Sequence, residues 1–315
     1  MNPTENQLPD VVVNVQNLVK TFRDFWYRPK VHAVHMVDLS VSRGEVFGLL
    51  GPNGSGKSTI IKTILGLLRP SSGSVVVLQK PPSDVATKRN IGYLPEESYL
   101  YKFLTPRETL DFYAQLFHMK SSERKNRIEQ LLDMVGLSHA ADRPVGEFSK
   151  GMARRIGLAQ ALINDPELIV LDEPTSGLDP IGCRQMKDLL LTLAARGKTI
   201  ILSSHLLADV EDVCNRVAIL YNGEIQACGR VSELLEEQES VRLTFPSLPA
   251  DRMNSLLQTL RKKYEREPGI DHPSMNLEQF FLQVVEHAHR TTERRPSGVS
   301  KTDGVAGYLK KTQGS

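Results

Sequence analysis

The stretch GPNGSGKST (residues 51–59) fits the pattern G-x-x-x-x-G-K-[ST], and its flanks constrain the fold as much as the motif does. Ahead of it, EVFGLL (45–50) reads as a buried strand. Behind it, IIKTILGLL has helical apolar spacing and is expected to run on to Arg69-Pro70. A strand, a glycine-rich turn and a helix in that order are the context this motif needs. Gly54 and Gly56 let the backbone turn tightly, so that successive N–H groups face one concavity. The helix N-terminus adds partial positive charge there. The whole run of Gly51, Pro52, Asn53, Gly54, Ser55, Gly56, Lys57, Ser58 and Thr59 is therefore expected to cradle a nucleoside triphosphate. Lys57 would reach the β- and γ-phosphates, and the Ser58 hydroxyl could ligate Mg²⁺.

The remaining pattern alternates strands and helices. VVVNVQNL (11–18), SVVVL (74–78), IGYLP (91–95), LIVLDEP (168–174) and TIILSS (199–204) read as strands, and VAIL-YNG-EIQ as a hairpin with an Asn-Gly turn. The stretch TFRDFWYRPKVHAV is rich in aromatic and basic residues and carries no clear periodicity. Thr105-Pro106-Arg107-Glu108 combines an N-cap, Pro at N1 and Glu at N3, which opens a helix over 106–118. Further helices are expected over about 123–135, 149–164 and from Pro180 to about 195. Strands that are apolar on both faces argue for a mainly parallel sheet covered by helices.

Bulk composition excludes more than it selects. Lys plus Arg (39) nearly balances Asp plus Glu (37), so net charge offers no general attraction for nucleic acid. The longest apolar runs are strand-sized, well short of the ~18–20 residues of a membrane span. The polar start MNPTENQLPD predicts no signal peptide. Cys183, Cys214 and Cys228 are odd in number and form no C-x-x-C pair, which fits reduced structural thiols.

Chemistry concentrates at strand ends. Asp172 closes an apolar strand, as suits a carboxylate that holds Mg²⁺, and Glu173 follows as a candidate general base. His205 comes directly after TIILSS, where a sheet of this kind presents its carboxyl edge to ligands. Glu96 and Glu97, after IGYLP, could form a solvated turn, a metal ligand or half of an acid/base pair.

In this order the motifs resemble the nucleotide-binding subunits of ATP-binding cassette (ABC) transporters, over roughly residues 11–230. FSKGMARR (148–155) stands where that family carries its LSGGQ signature, with Gly151 placed 21 residues before Asp172. SGLDP (176–180) is similar to the family's D-loop, and His205 to its switch histidine. The resemblance implies an α/β fold: a P-loop ABC cassette with a mainly parallel core sheet, an antiparallel β subdomain, an inserted helical subdomain and a small C-terminal extension. Expected boundaries are a lead over 1–10, the cassette over 11–235 with its helical part at about 97–164, an α+β extension over 236–288 and a disordered tail from 289. Six basic residues against two acidic ones in that tail leave contact with anionic lipid as an alternative to plain solvation.

The same resemblance implies ATP and Mg²⁺ as ligands and hydrolysis shared between two cassettes, with a homodimer expected and a heterodimer as the alternative. Ser149 and Gly151 would reach the γ-phosphate of the opposite subunit, and Asp179 would couple the two sites. Lys150 and Met152 depart from the signature, and Glu96 replaces the family's Q-loop glutamine as a metal-side sensor. Phe22 occupies the adenine-stacking position, with Trp26 or Tyr27 as alternatives. The aromatics of SYLYKFL (98–104) either dock a membrane subunit or pack inside the helical part. The expected function is the ATPase of a separately encoded permease, of the exporting branch, held at the inner face of the membrane by that partner. A soluble ABC ATPase acting on ribosomes or nucleic acid is the alternative, although no nucleic-acid partner is expected.

Overall fold

The computed structural model describes residues 11–236 apart from 24, 27 and 98, together with 242–243, 270–271 and 287. The expected lead and tail, Tyr27, and the closing helix over NLEQFFLQVV lie outside the described residues. The elements run β1 (Val11–Arg23), β2 (Pro29–Ser42), β3 (Val46–Leu50), α1 (Lys57–Ile64), β4 (Ser72–Val77), α2 (Val85–Arg89) and β5 (Ile91–Leu94). Three helices follow, α3 (Pro106–Leu116), α4 (Ser121–Met134) and α5 (Lys150–Ala161). Then come β6 (Leu168–Asp172), α6 (Pro180–Ala195), β7 (Thr199–Ser204), α7 (Leu207–Val213), β8 (Arg216–Tyr221), β9 (Glu224–Arg230) and α8 (Val231–Leu235). A short antiparallel pair, β10 (Arg242–Leu243) with β11 (Ile270–Asp271), is described in the C-terminal part.

Two sheets carry this order. The larger has six strands in the sequence β5-β6-β7-β3-β8-β9, parallel except for β9. The smaller is antiparallel, β2-β1-β4. Period-two alternation along the parallel strands divides the core into two layers. Val46 and Leu50 of β3, Ile169 and Leu171 of β6, and Ile200 and Leu202 of β7 face the helices α3–α6. Phe47 and Leu49, Leu168 and Val170, and Ile201 face α1 and the antiparallel sheet. All are at most 2% exposed, so the strands are apolar on both faces because both faces are covered.

Local differences from the sequence reading have identifiable causes. The helix after the phosphate motif stops at Ile64, not at Arg69. Gly66 adopts a φ of +66°, and the N–H groups of Leu67 and Leu68 both turn back to the Lys62 carbonyl. A left-handed glycine of this kind closes a helix without needing a proline. The aromatic and basic stretch conceals the end of one strand and the start of the next: β1 continues to Arg23 and β2 begins at Pro29. Asn17 in β1 (φ +49°) and Met36 in β2 (φ +44°) sit at register shifts of this ladder, so that on β2 buried Val34 is followed by Val37. The Thr105 capping box is formed as expected, and its helix ends at Leu116.

Gly92 in β5 sets the distance between the sheet and α5. A methyl group there would run into the main-chain oxygen of Ala161 and press on Pro166. Since the obstacle is backbone, the helix must move. Gly92→Ala is expected to lower stability by about 3 kcal/mol or more, at the upper end of overpacking costs. Urea unfolding of the two proteins checks this; equal midpoints would mean that α5 is not held against β5.

Candidate functional site

Parallel strands deliver their C-terminal ends to one edge, and the chemistry collects there. β3 ends at Leu50 and hands the chain to the glycine-rich turn. Gly54 (φ +79°) and Gly56 (φ +107°) hold left-handed conformations in that turn. At Gly56 a side chain would also meet the Ala33 carbonyl at 2.6 Å. The turn opens into a cavity of about 780 Å³ lined by residues 53–59 together with Phe22, Glu96 and Glu173. Residues far apart in sequence therefore share one wall, as the motif reading required. Gly51 and Pro52 lie behind it, and their carbonyls accept from Lys57 Nζ at 2.7 and 3.2 Å.

The acidic strand end stands across from this loop. Ser203 Oγ donates to Asp172 Oδ1 at 2.5 Å, and Ser58 Oγ donates to the same oxygen at 3.5 Å. Glu173 is buried and adopts a φ of +53°, unusual for a residue with a Cβ. Its N–H donates to the Ser203 hydroxyl and carbonyl, at 3.0 and 3.2 Å. Its carboxylate meets Lys57 Nζ at 3.6 Å and His205 Nδ1 at 2.8 Å. Burial pushes the Lys57 ammonium below its ordinary value, against the pull of the Glu173 and Asp172 carboxylates. His205 thus touches Glu173 directly and is not among the residues that line the cavity.

Other expected site residues fall elsewhere. Ser149 is the N-cap of α5, its hydroxyl accepting from Met152 N at 3.2 Å. Gly151 follows in the first turn, facing Leu178, and Lys150 folds across Gly177. Asp179 caps α6 by accepting from Gly182 N at 2.6 Å. None of Ser149, Gly151 and Asp179 lines the cavity of its own chain. Phe22 lines it at 38% exposure, with Lys20 Nζ above its ring at 5.3 Å. Trp26 does not: it is 71% exposed and stacks edge-on with Phe25. In SYLYKFL, Leu100 packs on the core while Tyr99 and Phe103 remain 81% and 75% exposed. Tyr101 meets Phe103 and, edge-on, Phe112, and these exposed rings form an outward patch that interior packing does not account for.

Sequence reasoning missed three contributors. Arg154 is buried and donates only to main-chain oxygens: those of Pro95, Glu96, Asp172, Glu173 and Pro174. Burial lowers its guanidinium to about 10, with the Asp172, Glu96 and Glu173 charges opposing. Ser203 was visible only as a polar pair ending an apolar strand. The third is the wall formed by His32, His35 and Asn222. The Asn-Gly turn was legible, but its attachment was not: Gly223 N donates to Ser55 O at 3.1 Å, and Gly223 O accepts from His35 N at 2.7 Å.

Comparison with known proteins converges on one family. The ABC transporter family matches residues 34–176. The chain is 43% identical over 257 residues to an uncharacterized ABC transporter ATP-binding protein of Synechocystis sp., covering 81% of this chain and 73% of that one. This chain belongs to the ABC transporter ATP-binding proteins. An ABC ATPase of this kind also resembles the fluoroquinolones export ATP-binding protein of Mycobacterium tuberculosis, at 43% identity over 71% of this chain and 72% of the relative. The Nod factor export ATP-binding protein I of Rhizobium meliloti is 40% identical over 73% and 68% of the two chains. Among solved structures, an ATP-binding subunit of an ABC transporter matches with a TM-score of 0.66 at 27% identity, covering 87% of this chain and 99% of the other. A dimeric ATP-binding cassette in a post-hydrolysis state with ADP and Pi matches at 0.64 and 28%, over 69% and 98%.

Placement of the aromatics makes a direct prediction for this ABC ATPase. Phe22→Ala should weaken ATP binding by ~1–3 kcal/mol, the usual worth of a base stack, while Trp26→Ala leaves it unchanged. Titration with a fluorescent ATP analogue separates the two, and the reverse ranking would move the adenine platform to Trp26.

Proposed function

We propose that this chain is the ATP-hydrolysing subunit that powers a separately encoded membrane permease of the exporting kind. The observation that carries the reading is the single cavity in which the phosphate loop, Phe22, Glu96 and Glu173 meet. In this reading Phe22 stacks the adenine, and residues 51–59 wrap the phosphates with main-chain N–H groups. Lys57 leaves its loop carbonyls to bind the β- and γ-phosphates. Glu173 then accepts a proton from the attacking water, with His205 holding its carboxylate and touching the γ-phosphate. Ser58, Asp172 and Glu96 offer hard oxygen donors beside the phosphate site, a set that fits Mg²⁺, since that ion takes few protein ligands and completes its shell with phosphate and water. When bound, it would neutralise charge on the transferring phosphoryl group.

Support for export comes from the relatives named as export ATP-binding proteins. Support for a permease partner comes from the exposed Tyr99, Tyr101, Phe103 and Phe112, an apolar patch beside the Glu96 loop. No helix among the described residues is long and apolar enough to cross a membrane, so the span must belong to a partner in this reading. The chain would then sit on the cytoplasmic face of the membrane. Ser149, Gly151 and Asp179 belong to the phosphate site of a second cassette, most simply a second copy of this chain.

Glu173→Gln tests the chemistry. It should lower kcat by ~10²–10⁴, the usual worth of general-base help, while ATP still binds. Turnover at the wild-type rate would remove Glu173 from the role of base. Affinity capture of the full chain from detergent-solubilised membranes tests the partner: a stoichiometric polytopic membrane protein is expected. Recovery of soluble partners alone would contradict the transport reading.

A further inference from the structure

Arg154 joins two segments just past the point where their strands stop pairing: β5 and β6 are hydrogen-bonded up to Leu94 and Leu171, and the guanidinium ties together the loops that leave them. It lies on α5, five residues after the Ser149 cap, and points back into the body of the protein, 4% exposed. Nη1 donates to the carbonyls of Pro95 and Glu96, the latter at 2.9 Å. Nη2 donates to those of Asp172 and Glu173, the latter at 2.8 Å, and Nε to Pro174 O at 3.2 Å. A buried charge must find partners, and here every acceptor is main chain; none is a carboxylate. One edge of the guanidinium therefore fixes the Glu96 loop, and the other fixes the backbone that carries Glu173 in its left-handed conformation.

We propose that Arg154 is a positioning residue that couples the Glu96 loop to the catalytic strand end. This inference rests on the reading of Glu173 as general base and of the Glu96 loop as the edge facing the permease. The guanidinium is planar and rigid, so its two edges cannot move independently. A shift of the Pro95–Glu96 carbonyls turns the plane and, with it, the peptide groups on either side of Glu173. Arg154 touches neither nucleotide nor water in this account; it sets the angle from which the Glu173 carboxylate meets them. Lysine keeps the charge but lacks the planar fork, and cannot hold both segments at once.

The test is a double-mutant cycle on the full chain. Arg154→Lys is made alone and in the Glu173→Gln background, with ATPase rates, ATP affinity and thermal unfolding measured for each. Expected is a loss of kcat of roughly 10–100-fold in the single variant, the scale of a misplaced catalytic group, with KM for ATP little changed. In the Glu173→Gln background Arg154→Lys should cost nothing further, because the residue it positions is already disabled. Equal losses in both backgrounds, or a raised KM at unchanged kcat, would overturn the proposal. If Arg154→Lys fails to fold, Arg154→Gln takes its place; failure of both would make Arg154 a folding residue and overturn it too. A Glu173→Gln protein that turns over normally refutes the base assignment separately. The kcat-against-KM split of Arg154→Lys then decides whether Arg154 positions the strand end.

Discussion

Glu173 stands at a backbone angle that residues with side chains avoid, and the surrounding structure exists in large part to hold it there. A left-handed non-glycine residue costs about 1–3 kcal/mol and persists only when its neighbours over-determine it. Here they do. Ser203 receives its N–H, Arg154 takes the carbonyls on both sides, and Lys57 and His205 share its carboxylate. Those four residues come from β7, α5, α1 and the turn after β7. Their convergence depends on β6 lying between β5 and β7 in a parallel sheet, with all the strand ends on one edge. The double-sided apolar core is what makes that sheet rigid enough to serve.

One residue, Arg154, shows how little of this is visible as charge pairing. Its partners are carbonyl oxygens, which have no identity in a sequence. The neighbouring Arg155, one position on, reaches across the surface to Gln185 at 3.5 Å. Helical phase alone, about 100° between successive residues, sends one arginine inward and the next outward.

GPNGSGKST and LIVLDE were legible because both motif and flanking strand carry information locally, and their residues do share one site or its immediate edge. Helix starts with chemical caps, at Thr105 and Pro180, were equally plain. β2 was hidden because its alternation slips by one residue at Met36, where buried Val34 is followed by Val37, Leu39 and Val41. The end of α1 was misplaced because Gly66, followed by two returning N–H groups, stops a helix as well as proline does. His32, His35 and Asn222 could not be foreseen at the cavity, since their place there follows from the packing of the antiparallel sheet onto the β8–β9 turn.

What the single chain lacks is as telling as what it assembles. Ser149 and Gly151 offer the N-terminus of a twelve-residue helix, a natural anion site, yet they do not line their own chain's cavity. In the function proposed above, the phosphate site is a shared one, closed by a second cassette. Sedimentation of the Glu173→Gln protein with ATP and Mg²⁺ tests this most directly. The account predicts a dimer that forms with ATP and dissociates when ATP is replaced by ADP. A protein that binds ATP yet stays monomeric at every concentration would contradict it.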